Sequence, residues 1–362
     1  MDALLGITYE DWLKLHKENK LTFKLKYLRR ALFLILLSRQ NSKGKKREEE
    51  QFGPLYEKAQ IQPPVFILGH WRSGTTMLHT LMIQNPVFTY ANALQISHPH
   101  TFLIREERVK RQIDKLKKQS YKRPMDNIKV QFDSPGEDEN GIAIMSLRSP
   151  VISWTFPRNE HFYARYHTFK EAPQEDFEKW KKALLLFYKK LSWRYNKPLI
   201  LKSPVHTARV KILLELFPQA KFIHIYRNPY RVYQSTRKLY DSLLPLTSLQ
   251  EPPTEQYDDI IIRNYRIIYD AYLQEKSLIP QGHLIELPYE SLVKDKMGWV
   301  ERIHRELDLP GFEEARPKLQ DYLNSIADYK KNDHKPIDPA IKSRLNSEWA
   351  DYFKAFGYAI EN

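Results

Sequence analysis

Cysteine is absent from the sequence, which excludes disulfides, thiolate metal sites and cysteine nucleophiles. Also missing is any run of about 18 consecutive apolar residues, the length a membrane-spanning helix requires. The nearest candidate, "ALFLILLS" at 31–38, is short and lies between "LKYLRR" and "RQNSKGKKR". It starts too far from Met1 for an ordinary signal peptide and lacks a small-residue cleavage pattern, so a cytoplasmic location is expected. Two readings of this segment compete: a buried helix of the domain, or a basic amphipathic helix resting on anionic lipid in peripheral contact with a membrane. There is no internal repeat and no long low-complexity tract.

What is present suits a globular enzyme. Hydrophobic residues make up 42 % and aromatic residues 13 %, enough for a substantial core. The formal net charge of +14 favours an anionic partner, whether nucleotide, polyanionic saccharide, nucleic acid or acidic membrane surface. The segment 8–38 reads as helix, and "NSKGKKREEEQFGP" (41–54) as a solvated, charged connector. Thereafter the pattern becomes α/β. "PVFILG" (64–69), "PLILK" (198–202), "KFIHIY" (221–226) and "HLIELPYE" (283–290) read as strands. Helices follow the first three, two of them opening at Pro204 and Pro229, where a first-turn proline costs no hydrogen bond. This alternation predicts a parallel sheet of P-loop type flanked by helices. The expected organisation is a helical arm and connector over 1–54 and one α/β domain over 55–362. Within that domain, 86–195 is a largely helical insertion on the acceptor side, covering the sheet's carboxyl edge, where ligands bind in such folds.

The first strand runs into "GHWRSGTT", residues 69–76. Gly69 and Gly74 stand at the spacing of a nucleotide-triphosphate loop, and Thr76 takes the place of its magnesium hydroxyl. Thr75 stands where the lysine belongs, while a cation, Arg72, sits three places earlier. Backbone amides, the hydroxyls of Ser73, Thr75 and Thr76, the guanidinium of Arg72 and a helix N-terminus together suit an anion. Phosphoryl transfer would need the loop lysine and a carboxylate-held Mg²⁺. The other strands end instead in "LKSP" and "IYRNP", so Lys202 and Arg227 offer cations where a metal site would want an acid. No metal is expected.

"FILGHWRSGTTMLHTLM", "LILKSPVHTARVKILLELFPQAKFIHIYRNPYRVYQST" and "LPYESLVKD" resemble the signatures of the sulfotransferases that use 3′-phosphoadenosine 5′-phosphosulfate (PAPS). "SPGEDENGIAIMSL" extends the resemblance to the bacterial-type branch with an acidic E-D-E segment. The resemblance implies transfer of a sulfuryl group from PAPS to a hydroxyl, or else an amine, of a saccharide, lipid or small molecule. It implies that Arg72, Ser73, Gly74, Thr75 and Thr76 hold the 5′-phosphosulfate, and that Arg227 and Ser235 hold the 3′-phosphate. Lys202 would offset charge on the group in transit. Glu137 would be the base, with Glu139 or His206 as alternative or orienting group. Arg72 departs from the lysine many members carry there; charge is kept, but stabilisation of the leaving oxygen changes.

Other residues read more plainly. Arg231 is expected to be an exposed helical arginine. Trp154, Phe156, Phe162, Tyr163 and Tyr166 are expected in the core rather than in an acceptor pocket. "YKKNDHKP" (329–336), with Lys330 and Lys331, reads as a basic surface loop. Two alternative functions stay open: a nucleotide or sugar kinase on the same scaffold, and a non-enzymatic binder of nucleic acid or anionic membrane. The leading reading calls for no nucleic acid and no obligate protein partner.

Overall fold

Short apolar runs bounded by proline, glycine or charge become the buried strands. In the computed structural model, which describes residues 4–20, 24–111, 121–122, 129–326 and 336–361, six strands are seen. They are β1 (Val65–Leu68), β2 (Tyr121–Lys122), β3 (Lys129–Val130), β4 (Ile200–Lys202), β5 (Lys221–Tyr226) and β6 (Leu284–Pro288). β2 and β3 form a small antiparallel pair; the other four make one parallel sheet in the order β4-β1-β5-β6. β1 and β4 are buried along their whole length, whereas β6, on the edge, alternates between buried and half-buried.

The chain divides into two compact units, and this sheet lies in the one formed by 62–90, 197–240 and 255–362. The two-residue period of a strand sorts its side chains by face. Val65, Ile67, Ile223, Ile225, Ile285 and Leu287 pack with Leu78, Leu81 and Met82 of the helix Thr75–Met82 and with Val300 and Ile303. On the other face Phe66 stacks on Phe222, 5.7 Å between centroids, and His224 lies 4.0 Å from the ring of Tyr272. From β1 the chain goes to β4 on one side, then returns to β5 on the other. That reversal puts a topological switch point at the carboxyl end of β1, the place where open α/β sheets bind ligands.

The helices after these strands differ in detail from expectation. The segment from Pro204 is a 3₁₀ turn, Pro204–Ala208, followed by a separate helix, Val210–Leu216. Arg209 between them has an extended φ of −134° and interrupts the helix. The helix from Pro229 runs to Thr247.

Glu286 faces its register partner His224 across β5 and β6. Burial pushes its carboxyl up, but bonds from His224 Nδ1 at 3.1 Å, Tyr272 Oη at 2.7 Å and Lys276 Nζ at 3.0 Å hold it at about 2. A depressed acid stabilises the fold above its ordinary value of 4.5 and loses that contribution as pH falls toward about 2. Glu286→Gln is therefore expected to lower stability at pH 7 and to lower it far less at pH 3, as measured by urea denaturation.

The other unit comprises 1–61, 91–196 and 241–254, and is mainly helical. The N-terminal helical segment is two helices, Tyr9–Glu18 and Leu25–Tyr56. The first stops at Asn19, whose side-chain amide donates to the Leu15 carbonyl, with Lys20 in the left-handed region beyond it.

The second helix corrects the reading of 41–54 as a solvated connector, for that segment is helical throughout. The physical reason is tertiary. Asn41 Nδ2 donates to the carbonyls of Leu5 and Ile7, and Gly44 lies against Thr101. Glu48 is buried with its carboxylate 2.5 Å from Lys190 Nζ, on the helix Gln174–Tyr195. A buried partner charge thus takes Glu48 into the packing while Glu49 and Glu50 beside it stay exposed. Of the aromatic segment, Phe156, Tyr163 and Tyr166 are core, as expected, while Phe162 is exposed and stacks on Arg165.

Candidate active site

The turn after β1 is built from three residues with positive φ: Gly69 at 142°, Arg72 at 70° and Gly74 at 101°. Positive φ at three positions out of six curls the backbone tightly, and the Ser73 amide closes the turn by donating to the His70 carbonyl at 3.2 Å. The Gly69 amide donates to Thr207 Oγ1 at 2.8 Å. Ser73 Oγ donates to the His70 carbonyl at 2.8 Å, so the Ser73 hydroxyl hydrogen ties the loop to itself. Gly74 caps the helix Thr75–Met82, which begins with buried Thr75 and half-buried Thr76.

The glycines are demanded by close approach. A Cβ on Gly69 would stand 2.3 Å from the Ile225 carbonyl oxygen, and one on Gly74 2.3 Å from Tyr289 Cδ2. Backbone cannot yield as a flexible side chain can. Gly69→Ala is expected to destabilise the fold by about 1–3 kcal/mol or more, seen as a lower melting temperature.

Arg227, the first residue after β5, is half-buried and lies over the Tyr289 ring at 4.4 Å. Its Nη1 donates to the Arg72 carbonyl at 3.1 Å, and Arg72 Nε donates to Ser235 Oγ at 2.9 Å. Residues read from two separate motifs thus form one hydrogen-bonded group inside one unit. Burial lowers the affinity of Arg227 for its proton, and the positive charges of Arg72 and Arg231 act in the same direction, offset by Tyr289 and Glu290. Since a guanidinium stays charged in proteins, this is a cation whose surroundings favour an arriving anion. Arg231 is exposed and donates to Gln234.

Lys202 closes β4 and is buried, in register with Ile67 of β1. His206, in the 3₁₀ turn after it, is also buried and meets Phe66 edge-on at 5.6 Å. Both belong to the sheet unit, as do Arg72, Arg227 and Ser235, whereas Glu137 and Glu139 belong to the helical one. Glu137 is the half-buried residue at the N-cap of the helix Asp138–Ser146, with extended backbone. Glu139 is buried and accepts from Trp180 Nε1 at 3.1 Å, and Asp138 accepts from Tyr188 Oη at 2.5 Å. Lys330 and Lys331 lie outside the described residues, as does much of the basic stretch 105–123.

Sequence reasoning did not single out three residues that shape the site. Tyr289 supports both Gly74 and Arg227. Thr207 fixes Gly69. Glu290 accepts from the Asn228 amide at 3.4 Å and from Tyr358 Oη at 2.6 Å, pinning the start of the helix that carries Ser235. The Tyr-Glu pair directly after the last strand was the available signal for two of them. Among the described residues, no cluster of three His, Asp or Glu side chains is arranged to hold a metal ion, and no helix is long and apolar enough to cross a membrane.

The loop thus lies at the switch point of the sheet, joined by hydrogen bonds to Arg227 and Ser235, and comparison with known proteins gives the class of the protein. The sulfotransferase family profile matches residues 63–314, and the chain belongs to that family. It is 32 % identical over 358 residues to the omega-hydroxy-beta-dihydromenaquinone-9 sulfotransferase Stf3 of Mycobacterium bovis, covering 98 % of this chain and 90 % of that one. The protein of the same name from Mycobacterium tuberculosis matches equally. The fold is shared with sulfotransferase STF1 of M. tuberculosis, at a TM-score of 0.65 and 16 % identity, covering 95 % of this chain and 92 % of that one. It is shared likewise with STF9 of Mycobacterium avium, at 0.65 and 20 %, covering 98 % of each chain.

Proposed function

We propose that the protein transfers a sulfuryl group from PAPS to the hydroxyl of a lipophilic alcohol. The observation carrying this reading is the hydrogen-bonded group that joins Arg227, Arg72 and Ser235 beside the anion loop. One pole of the donor, the 5′-phosphosulfate, would be held by the loop amides, Thr75, Thr76 and Arg72. The other, the 3′-phosphate, would be held by Arg227 and Ser235, with Arg72 bridging the two.

In the reaction the acceptor oxygen forms a bond to sulfur as the bond from sulfur to the 5′-phosphate oxygen breaks. The acceptor's proton passes to a base, and the electron pair of the broken bond leaves a second negative charge on the 5′-phosphate of the departing adenosine 3′,5′-bisphosphate. Lys202 and the loop would stabilise that charge as it develops. Glu137 is the base proposed from the sequence, with His206 the alternative; the buried bond from Trp180 argues against Glu139. A hydroxyl acceptor on a lipid-like molecule is favoured by the similarity to a sulfotransferase named for an omega-hydroxylated menaquinone.

Thermal-shift titration tests the donor site. Adenosine 3′,5′-bisphosphate should raise the melting temperature in the presence of a chelator, and ADP should raise it far less. Stabilisation by ATP only with Mg²⁺, with indifference to the bisphosphate, would favour the kinase reading and overturn this one.

A further inference from the structure

The long helix Leu25–Tyr56 has two apolar faces, and among the described residues only one of them is covered. Tyr27, Ala31, Leu34 and Ser38 are buried at the helical repeat. On the opposite side, at i, i+3 and i+4 spacing, Leu25, Leu28, Leu32 and Leu36 stand between 40 % and 85 % exposed, flanked by Phe33 at 52 %. Leu246, 61 % exposed, adjoins them, since Arg30 Nη1 donates to its carbonyl at 2.9 Å. Scattered exposed leucines need no explanation, but a contiguous stripe marks an interaction surface.

Charge identifies the partner. From 24 to 47 the chain carries nine lysines and arginines and no aspartate or glutamate. Arg29 and Arg39 are exposed at positions that share the apolar side of the helix, and Lys24 and Lys26 flank its start, near Glu251 at 3.8 and 2.6 Å. An apolar stripe edged by long cationic side chains suits the boundary of an anionic bilayer: leucines enter the acyl region while the charged heads extend to phosphates. A protein partner would be expected to present acids to this helix, and a second copy of it would set like charges against each other. We infer that the stripe Leu25–Leu36 docks the protein on the surface of an anionic lipid bilayer, lying in its plane. The inference is independent of the donor and acceptor proposed above.

Flotation with vesicles tests it. The full chain should float with vesicles of phosphatidylcholine and phosphatidylglycerol, and less as salt is raised. The triple variant Leu32→Ser, Phe33→Ser, Leu36→Ser should lose more than about tenfold in apparent affinity. Arg29→Glu, which leaves the apolar stripe intact, should lose several-fold through charge alone. Both variants alter exposed side chains, so melting temperature and bisphosphate binding should match the parent and exclude misfolding as the cause. Three results would each overturn the inference: no flotation of the parent, equal flotation with phosphatidylcholine alone, or concentration-dependent self-association that the triple variant abolishes while vesicles are ignored.

Discussion

Replacing Arg227 by alanine should weaken binding of adenosine 3′,5′-bisphosphate by about two orders of magnitude. Truncating one member of a hydrogen-bonded charge pair in a desolvated site typically costs about 2–5 kcal/mol, and three features put Arg227 in that range. It is half-buried, its ring partner Tyr289 holds it in place, and it is already bonded to the loop through the Arg72 carbonyl. Without ligand the same substitution should cost little stability, because burial and the charges of Arg72 and Arg231 already disfavour the guanidinium there. Ser235→Ala removes one hydrogen bond to a charged group and should lose about 1.5–3 kcal/mol of binding at most. Arg227→Lys keeps the charge but not the planar fork that can grasp two oxygens, and should recover only part of the loss. Calorimetric titration in the presence of a chelator measures all three. Unchanged affinity in Arg227→Ala would remove the residue from the donor site.

A second large effect is expected at the base. Glu137→Gln should lower single-turnover sulfuryl transfer by about 10²- to 10⁴-fold, the contribution of a positioned general base, and leave bisphosphate affinity unchanged. The comparison that gives this its force is His206→Asn. His206 is buried in the sheet unit against Phe66. If its role is packing, the substitution should lower the melting temperature, and any loss of transfer should track that fall. If it is the base, transfer should collapse while the melting temperature holds and Glu137→Gln remains active. Transfer undiminished in Glu137→Gln eliminates that carboxylate from the mechanism.

How much of this was legible beforehand depended on the range of the interaction concerned. "KFIHIY" coincides with β5 residue for residue, because a short run rich in isoleucine and aromatic residues marks a strand by composition alone. The tight turn after β1 was legible in part for a local reason: Gly69 and Gly74 take positive φ angles. The packed face of the helix over 41–54 is not legible locally, because the charge of Glu48 is met by Lys190, a residue 142 positions away. Tyr289 was overlooked because a tyrosine after a strand has no evident task until Gly74 and Arg227 are brought against it.

By itself, then, the amino-acid order determined the four parallel strands and the glycine turn after the first of them, since these follow from local geometry and from the solubility of each side chain. It also determined what the chain lacks, the cysteines above all. Only tertiary structure decided the strand order β4-β1-β5-β6, the contact of Arg72 with Ser235 across 163 positions, and which face of the helix Leu25–Tyr56 is buried. Those outcomes depend on the relative placement of distant segments, and no local pattern of hydrophobicity or charge specifies which of two apolar faces a neighbouring element will cover.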